Sequence, residues 1–199
     1  MTEGHQRCQG ARTGGRGPNS FWLQDPEELF ALLRVQAGDG FLDLGCGAGE
    51  YALHAARLVG PTGRVLAADV NAGYAEDVAT RARTMGLENV EPLACDMSCD
   101  ALPVLCGSVS LCLVSTVLHA LTLGRSEHAF AEVLRVLAPG GRLAVLELQK
   151  REMPFGPPVE RRIAPEELRA HAEGLGFTFV RLADFEYSYL MLLRPVERP

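Results

Sequence analysis

The segment Phe41-Leu42-Asp43-Leu44-Gly45-Cys46-Gly47-Ala48-Gly49-Glu50 constrains this chain more than any other: an apolar run breaks into alternating glycines and passes at once into a helical pattern. It reads as a strand, a tight turn and a helix start. Glycines remove the Cβ atoms that hold backbone away from a ligand, and a helix beginning near Ala48 presents unpaired N–H groups to it. The result is a nucleotide-like site at the end of a strand. The dinucleotide fingerprint G-x-G-x-x-G needs glycine at its sixth position, which counted from Gly45 is Glu50; here the third glycine comes one place early, at Gly49.

The rest of the chain sets the context of that turn. β-Rich runs at 41–44, 64–68, 90–94, 109–115 and 142–148 alternate with amphipathic helical patterns at 48–59, 75–85 and 126–137, stopped by Gly60-Pro61, Gly86 and Pro139-Gly140-Gly141. Alternation of this kind predicts βαβ units with right-handed crossovers. Upstream, Asp25-Pro26-Glu27-Glu28 supplies an N-cap, a proline at the first helical position and acid in the first turn, so a helix starts here and ends near Gly38. After a further helix from Pro165 to about Glu173, the runs 177–182 and 187–193 follow one another with too little chain between them for a parallel crossover. They must pair antiparallel. The predicted fold class is therefore α/β, a doubly wound, mostly parallel seven-stranded sheet ending in an antiparallel hairpin.

Residues 1–19 are rich in glycine and arginine without an apolar period and read as a mobile N-terminal tail, leaving 20–199 as a single domain. A net charge of −6 gives no general reason to bind nucleic acid or an anionic membrane. No apolar run approaches the roughly 20 residues that span a bilayer, and the N-terminus lacks an apolar leader. With six scattered cysteines, a reduced cytoplasm is the simpler expectation. No metal-ligand pattern stands out.

Asp69 ends the second run, twenty residues after Gly49, where a carboxylate can accept both hydroxyls of a ribose. NAD enzymes share that feature. The first run, however, resembles motif I of the class I S-adenosylmethionine (SAM) dependent methyltransferases, hydrophobic-x-Asp-hydrophobic-Gly-x-Gly-x-Gly, and the parallel sheet finished by a hairpin is similar to their fold. The nearest shape is the small, mostly bacterial group that holds the ubiquinone/menaquinone C-methyltransferases and arsenite methyltransferases. Trp22-Leu23-Gln24-Asp25-Pro26-Glu27, Val117-Leu118-His119, 136–141 and 155–163 resemble a subfamily there.

The resemblance implies a cofactor, SAM, leaving as S-adenosylhomocysteine (SAH), and a small-molecule acceptor, apolar or aromatic. It implies that Gly45, Cys46, Gly47, Gly49 and Val70 contact the cofactor, that Asp43 supports its methionyl ammonium, and that Asp96 accepts the adenine amino group with Met97 beside the ring. Ser115 and Leu118 fall in the segment that meets the methyl-bearing sulfur. His119 and Glu147, near strand tips, are the candidate catalytic bases, and each has a plain structural alternative. For the acceptor side, Phe21, Trp22, Tyr187, Tyr189 and the loop 149–163 are candidate walls, and Glu160-Arg161-Arg162 either binds an acidic acceptor group or stands as a solvated face. Cys95 and Cys99 read as packing residues, which sets arsenic chemistry aside. Ala164 stands where the subfamily has Ser or Thr, giving up an N-cap worth roughly 1 kcal/mol. An NAD-dependent oxidoreductase and a SAM-sensing or partner-binding domain without catalysis remain the alternatives.

Overall fold

The computed structural model describes residues 20–197; the tail read at 1–19 lies outside the described residues. Seven strands, β1 (Gly40–Leu44), β2 (Arg64–Asp69), β3 (Val90–Ala94), β4 (Val109–Ser115), β5 (Leu137–Leu148), β6 (Phe177–Asp184) and β7 (Ser188–Pro195), form one sheet in the order β3-β2-β1-β4-β5-β7-β6. The first five are parallel and β7 runs antiparallel to both β5 and β6. Chain order reverses between β1 and β4. That switch point opens a crevice beyond the carboxyl ends of the strands, where ligands of open α/β sheets bind.

Side chains of each strand alternate between two layers. Phe41, Val65 and Ala67 join a cluster with the helices α1 (Pro26–Leu33), α2 (Glu50–Val59) and α3 (Ala72–Thr84). Leu42, Leu44, Leu66 and Ala68 face the other cluster, with the short α4 (Leu118–Leu121), α5 (Glu127–Val136) and α6 (Pro165–Gly174).

Local chemistry sets the helix ends. Asp25 caps α1 through Glu27 N–H at 2.9 Å, with Pro26 at the first helical position. α1 stops at Leu33, short of Gly38, because Arg34 turns left-handed (φ 52°) and sends its N–H back to Phe30 O. β5 starts at Leu137, five residues before the run at 142, since Leu137 already pairs with Val109 across an irregular register. Ala164 offers α6 no side-chain cap, yet Glu167 accepts the Ala164 N–H at 2.8 Å, so half of the capping box survives.

Candidate active site

Three glycines make the cradle between β1 and α2, each at positive φ: 88° at Gly45, 48° at Gly47 and 76° at Gly49. Their reasons differ. A Cβ on Gly45 would lie 2.5 Å from Val117 Cγ2, and one on Gly49 only 2.1 Å from Val78 Cγ2, so these two allow close packing with the β4 edge and with α3. At Gly47 a Cβ would meet nothing within 4 Å, which leaves that face of the turn open. The amides of Gly45 and Cys46 both reach Ala68 O on β2, and the buried Cys46 side chain adds no polar arm. Glu50, where a dinucleotide site needs glycine, is held by Arg81, whose guanidinium bonds Glu50 Oε1 at 2.9 Å and Ala48 O at 2.5 Å.

Asp69 stands at the end of β2 with one oxygen accepting Gly47 N–H at 3.0 Å and the other Asn71 N–H at 2.9 Å. It ties the cradle to the next loop, and each carboxylate oxygen keeps a second acceptor site. Val70, which follows it, is 56% exposed. Asp43 is buried beneath the cradle. Its Oδ2 accepts Ala52 N–H in the first turn of α2 at 3.1 Å, whereas Oδ1 is enclosed with no hydrogen-bond partner. Burial pushes its pKa up to about 7, against the lowering effect of the Ala52 N–H and with a further upward push from Asp69.

After β3, Asp96 Oδ1 accepts both the Ser98 N–H and the Ser98 hydroxyl, at 2.9 and 2.6 Å, and these bonds hold its pKa below the usual range. Met97 is buried, its Cε 3.4 Å from the Cβ position of Gly45, so the loop after β3 closes against the cradle. Outside Asp96 lies an open depression of about 440 Å³ lined also by Arg125, Glu127 and His128. Cys95 is packed as expected; Cys99 is exposed, so the packing reading fails for it.

The edge at β4 and β5 is built differently. Glu147, on β5, accepts Leu118 N–H at 2.9 Å and His119 N–H at 3.4 Å through Oε1, while Oε2 lies 3.0 Å from His119 Nδ1. Both side chains are buried, and the two residues singled out as candidate bases form one pair. Leu118 is buried beside them. Thr116 and Thr122, flanking α4, hold φ of 52° and 62°, costly for β-branched residues and characteristic of segments fixed by their surroundings.

The polar contribution of Ser20 and Gln24 was not legible in the sequence. Ser20 Oγ receives Tyr51 OH at 3.2 Å and Thr116 Oγ1 at 3.3 Å and lies 3.0 Å from Ser115 Oγ. Gln24 bridges Tyr51 OH and Ser188 Oγ, at 3.0 and 2.9 Å. A polar chain thus runs from β4 through α2 to β7, along the carboxyl edge of the sheet. Of the proposed aromatic walls, Phe21 is buried edge-on against Tyr51 at 5.1 Å, and Tyr189 is fully buried with its hydroxyl on Ile163 O at 2.9 Å. Tyr187 remains, packed edge-on with Phe155 at 5.1 Å, and Trp22 is 44% exposed. Arg162 is buried among backbone carbonyls of its own loop, so it is neither a solvated charge nor open to an acidic acceptor group.

A seven-stranded sheet of this order, with a glycine cradle and acids at the ends of β1, β2 and β3, defines the class I methyltransferase architecture. Residues 41–141 match the methyltransferase domain family, and the chain belongs to it, among the SAM-dependent enzymes of class I. It is 36% identical over 135 residues to the ubiquinone/menaquinone biosynthesis C-methyltransferase UbiE of Pseudomonas putida, covering 67% of this chain and 50% of that one. Against UbiE of Klebsiella pneumoniae the identity is 37% over 117 residues, 58% and 45% of the two chains. The chain thus aligns with about half the length of these relatives. Among solved structures, a SAM-dependent methyltransferase from Aquifex aeolicus superimposes with a TM-score of 0.80 at 26% identity, over 88% of this chain and 92% of that one. Among the described residues no helix is long and apolar enough to cross a membrane.

Proposed function

We propose that this chain transfers the methyl group of SAM to a small aromatic acceptor, a quinone-pathway ring in its reduced, hydroxylated form. The observation that carries the cofactor half is the buried, unpartnered Asp43 Oδ1 beside a glycine turn whose middle residue, Gly47, faces open space. A cation brought to that oxygen would satisfy it and favour the charged carboxylate. In this reading Asp69 takes the ribose and Asp96 and Met97 the base, and Gly45, Cys46, Gly49, Val70, Ser115 and Leu118 are assigned to the same cofactor. When bound, SAM supplies a sulfonium whose methyl is ready for displacement.

What the chain adds is position and a proton acceptor. An acceptor carbon that takes a methyl must lose its hydrogen as a proton, so that ring plus SAM gives methylated ring, SAH and a proton. His119 is the group proposed to take it. With Glu147 accepting from Nδ1–H, the imidazole is set in the tautomer whose Nε2 is basic, and the imidazolium that forms is stabilised by the same carboxylate. The Phe155–Tyr187 pair offers an aromatic surface on that side. The names of the UbiE relatives support the choice of a quinone-pathway ring and of carbon as the accepting atom.

Calorimetric titration with SAM, SAH and NADH tests the cofactor half. Saturable binding of the first two, weakened by about 1.5–3 kcal/mol in Asp69→Ala through loss of a charge-assisted contact, is the expected result. Binding of NADH alone would overturn it. Methylation of reduced 1,4-naphthoquinone, lost in His119→Ala but retained in a surface control, tests the acceptor half.

A further inference from the structure

Arg162 is 4% exposed, yet its guanidinium has no carboxylate partner among the described residues. Its Nε donates to Pro157 O at 2.9 Å, Nη1 to Gln149 O at 3.2 Å and Arg151 O at 2.5 Å, and Nη2 to Phe155 O at 2.9 Å. Four of its five N–H donors therefore converge on carbonyls of one segment. A buried cation is tolerated only where hydrogen bonds replace its hydration, and here a single stretch of chain supplies those four bonds.

That stretch lies beside the site. It begins two residues after Glu147, the partner of His119. Its near end is anchored by Gln149 N–H on Tyr187 O at 3.0 Å, and its far end by Tyr189 OH on Ile163 O at 2.9 Å. Arg151 also reaches Glu186 O in the hairpin turn. Between them, Gly156 turns at φ 82°, where a Cβ would stand 2.7 Å from Leu148 Cδ1. Phe155, whose carbonyl Arg162 holds, packs its ring on Tyr187.

We propose that Arg162 is a positioning residue for the methyl acceptor: by gathering the carbonyls of Gln149, Arg151, Phe155 and Pro157 it fixes segment 149–162 as one wall of the acceptor pocket beside the His119–Glu147 pair. The proposal rests on the methyl-transfer reading of that pair. The planar fork is what suits arginine to the task, because a lysine ammonium has three donors on one atom and cannot span carbonyls spread along the segment. These bonds hold the segment rather than the sheet, so their loss should loosen the wall and leave the cofactor cradle as it was.

The test uses the full chain with Arg162→Met, Arg162→Lys and Gly156→Ala, the last disturbing the wrap without removing charge. Three readouts are compared: SAH affinity by calorimetry, amide exchange across 149–163, and methyl transfer to reduced 1,4-naphthoquinone. The expected result is SAH affinity within about twofold of the parent, exchange at least about tenfold faster and confined to the segment, and KM for the naphthoquinol raised about tenfold with kcat changed less than about threefold. Arg162→Lys should fall between the parent and Arg162→Met. Unchanged exchange, or faster exchange with an unchanged KM, would overturn the proposal. If Arg162→Met fails to fold, the other two variants decide it by the same criteria. Should the parent bind SAH but leave naphthoquinol unmethylated, the quinone-ring reading falls by itself. The KM comparison then passes to a hydroxylated arene that the parent does methylate, and loosening of the segment without a raised KM sinks the proposal as before.

Discussion

The half of the sheet that carries the glycine cradle, β1 to β3, and the half that carries His119 and Glu147, β4 to β7, share one crevice but are held together over different distances along the chain. In the first, Asp96 is fixed by Ser98 two residues away, Asp43 by Ala52 nine away and Asp69 by Gly47 twenty-two away. In the second, Glu147 meets Leu118 across 29 residues, Ser20 meets Ser115 across 95, and Gln24 meets Ser188 across 164. Short connections make a motif that any acceptor can share. The glycine-cradle half is thus held by bonds nearer in the chain and the His119–Glu147 half by longer-range ones, and whether the two are separable can be tested by perturbing each half and reading the other.

The largest expected effect is in the cradle. Gly49→Ala places a Cβ 2.1 Å from Val78 Cγ2 at a φ of 76°, combining overpacking with left-handed strain. A loss of about 3 kcal/mol in urea unfolding is expected, with SAM binding weakened as well, and Val78→Ala in the same chain should restore part of it. A fully stable Gly49→Ala would mean that the α2–α3 contact yields easily and that the cradle is less fixed than its geometry implies.

Next comes the opposite half. Glu147→Ala strips the acceptor from Leu118 N–H and from the His119 ring, both buried, and should cost about 2–3 kcal/mol of stability. Glu147 meets the residues assigned to the cofactor only through the Leu118 N–H, so SAH affinity should fall by no more than about tenfold. If affinity collapses together with stability, the two halves are not separable and the comparison fails.

Asp43 gives a pH-dependent effect confined to the cradle, smaller than the preceding two over any single pH unit. Its carboxyl titrates near 7 in the folded chain, against about 3.9 for an unperturbed aspartate. Between those values the folded form holds the extra proton. This group's contribution to stability is therefore present below pH 4 and is lost as pH rises, at about 1.4 kcal/mol per unit, levelling off above 7. Asp43→Asn should flatten that slope. SAM binding should run the other way, strengthening as pH rises towards 7, because its cationic end favours the carboxylate; a SAM affinity independent of pH in the parent chain would remove Asp43 from the cofactor's neighbours.

These differences also explain what could be read from the sequence. The alternation of strands and helices, the glycine turn and the acids at strand ends were legible because each is fixed by neighbours close in the chain or by a strand's own period. Helix α1 ended early because Arg34 adopts a left-handed cap, which no arginine announces. Tyr51 was invisible as part of a polar chain, since its partners Ser20 and Gln24 come from another segment. Arg162 was misread for a related reason: beside Glu160 and Arg161 it looks like one of a surface charge run, and its burial depends on carbonyls that identify no residue type.

The smallest effect concerns Ala164, which ends the acceptor-side loop and starts α6. Glu167 already accepts the Ala164 N–H, so a serine there needs only to add the reciprocal bond, its hydroxyl oxygen accepting the Glu167 N–H at the third helical position. Ala164→Ser should raise stability by about 0.5–1 kcal/mol in urea unfolding. Because α6 packs through Leu168 and Ala172 into the layer opposite α1 to α3, neither SAH affinity nor its pH dependence should move. A gain in stability that also tightened SAH would show that the wall and the cradle communicate through the sheet after all, and the separation of the two halves would have to be given up at its least perturbing test.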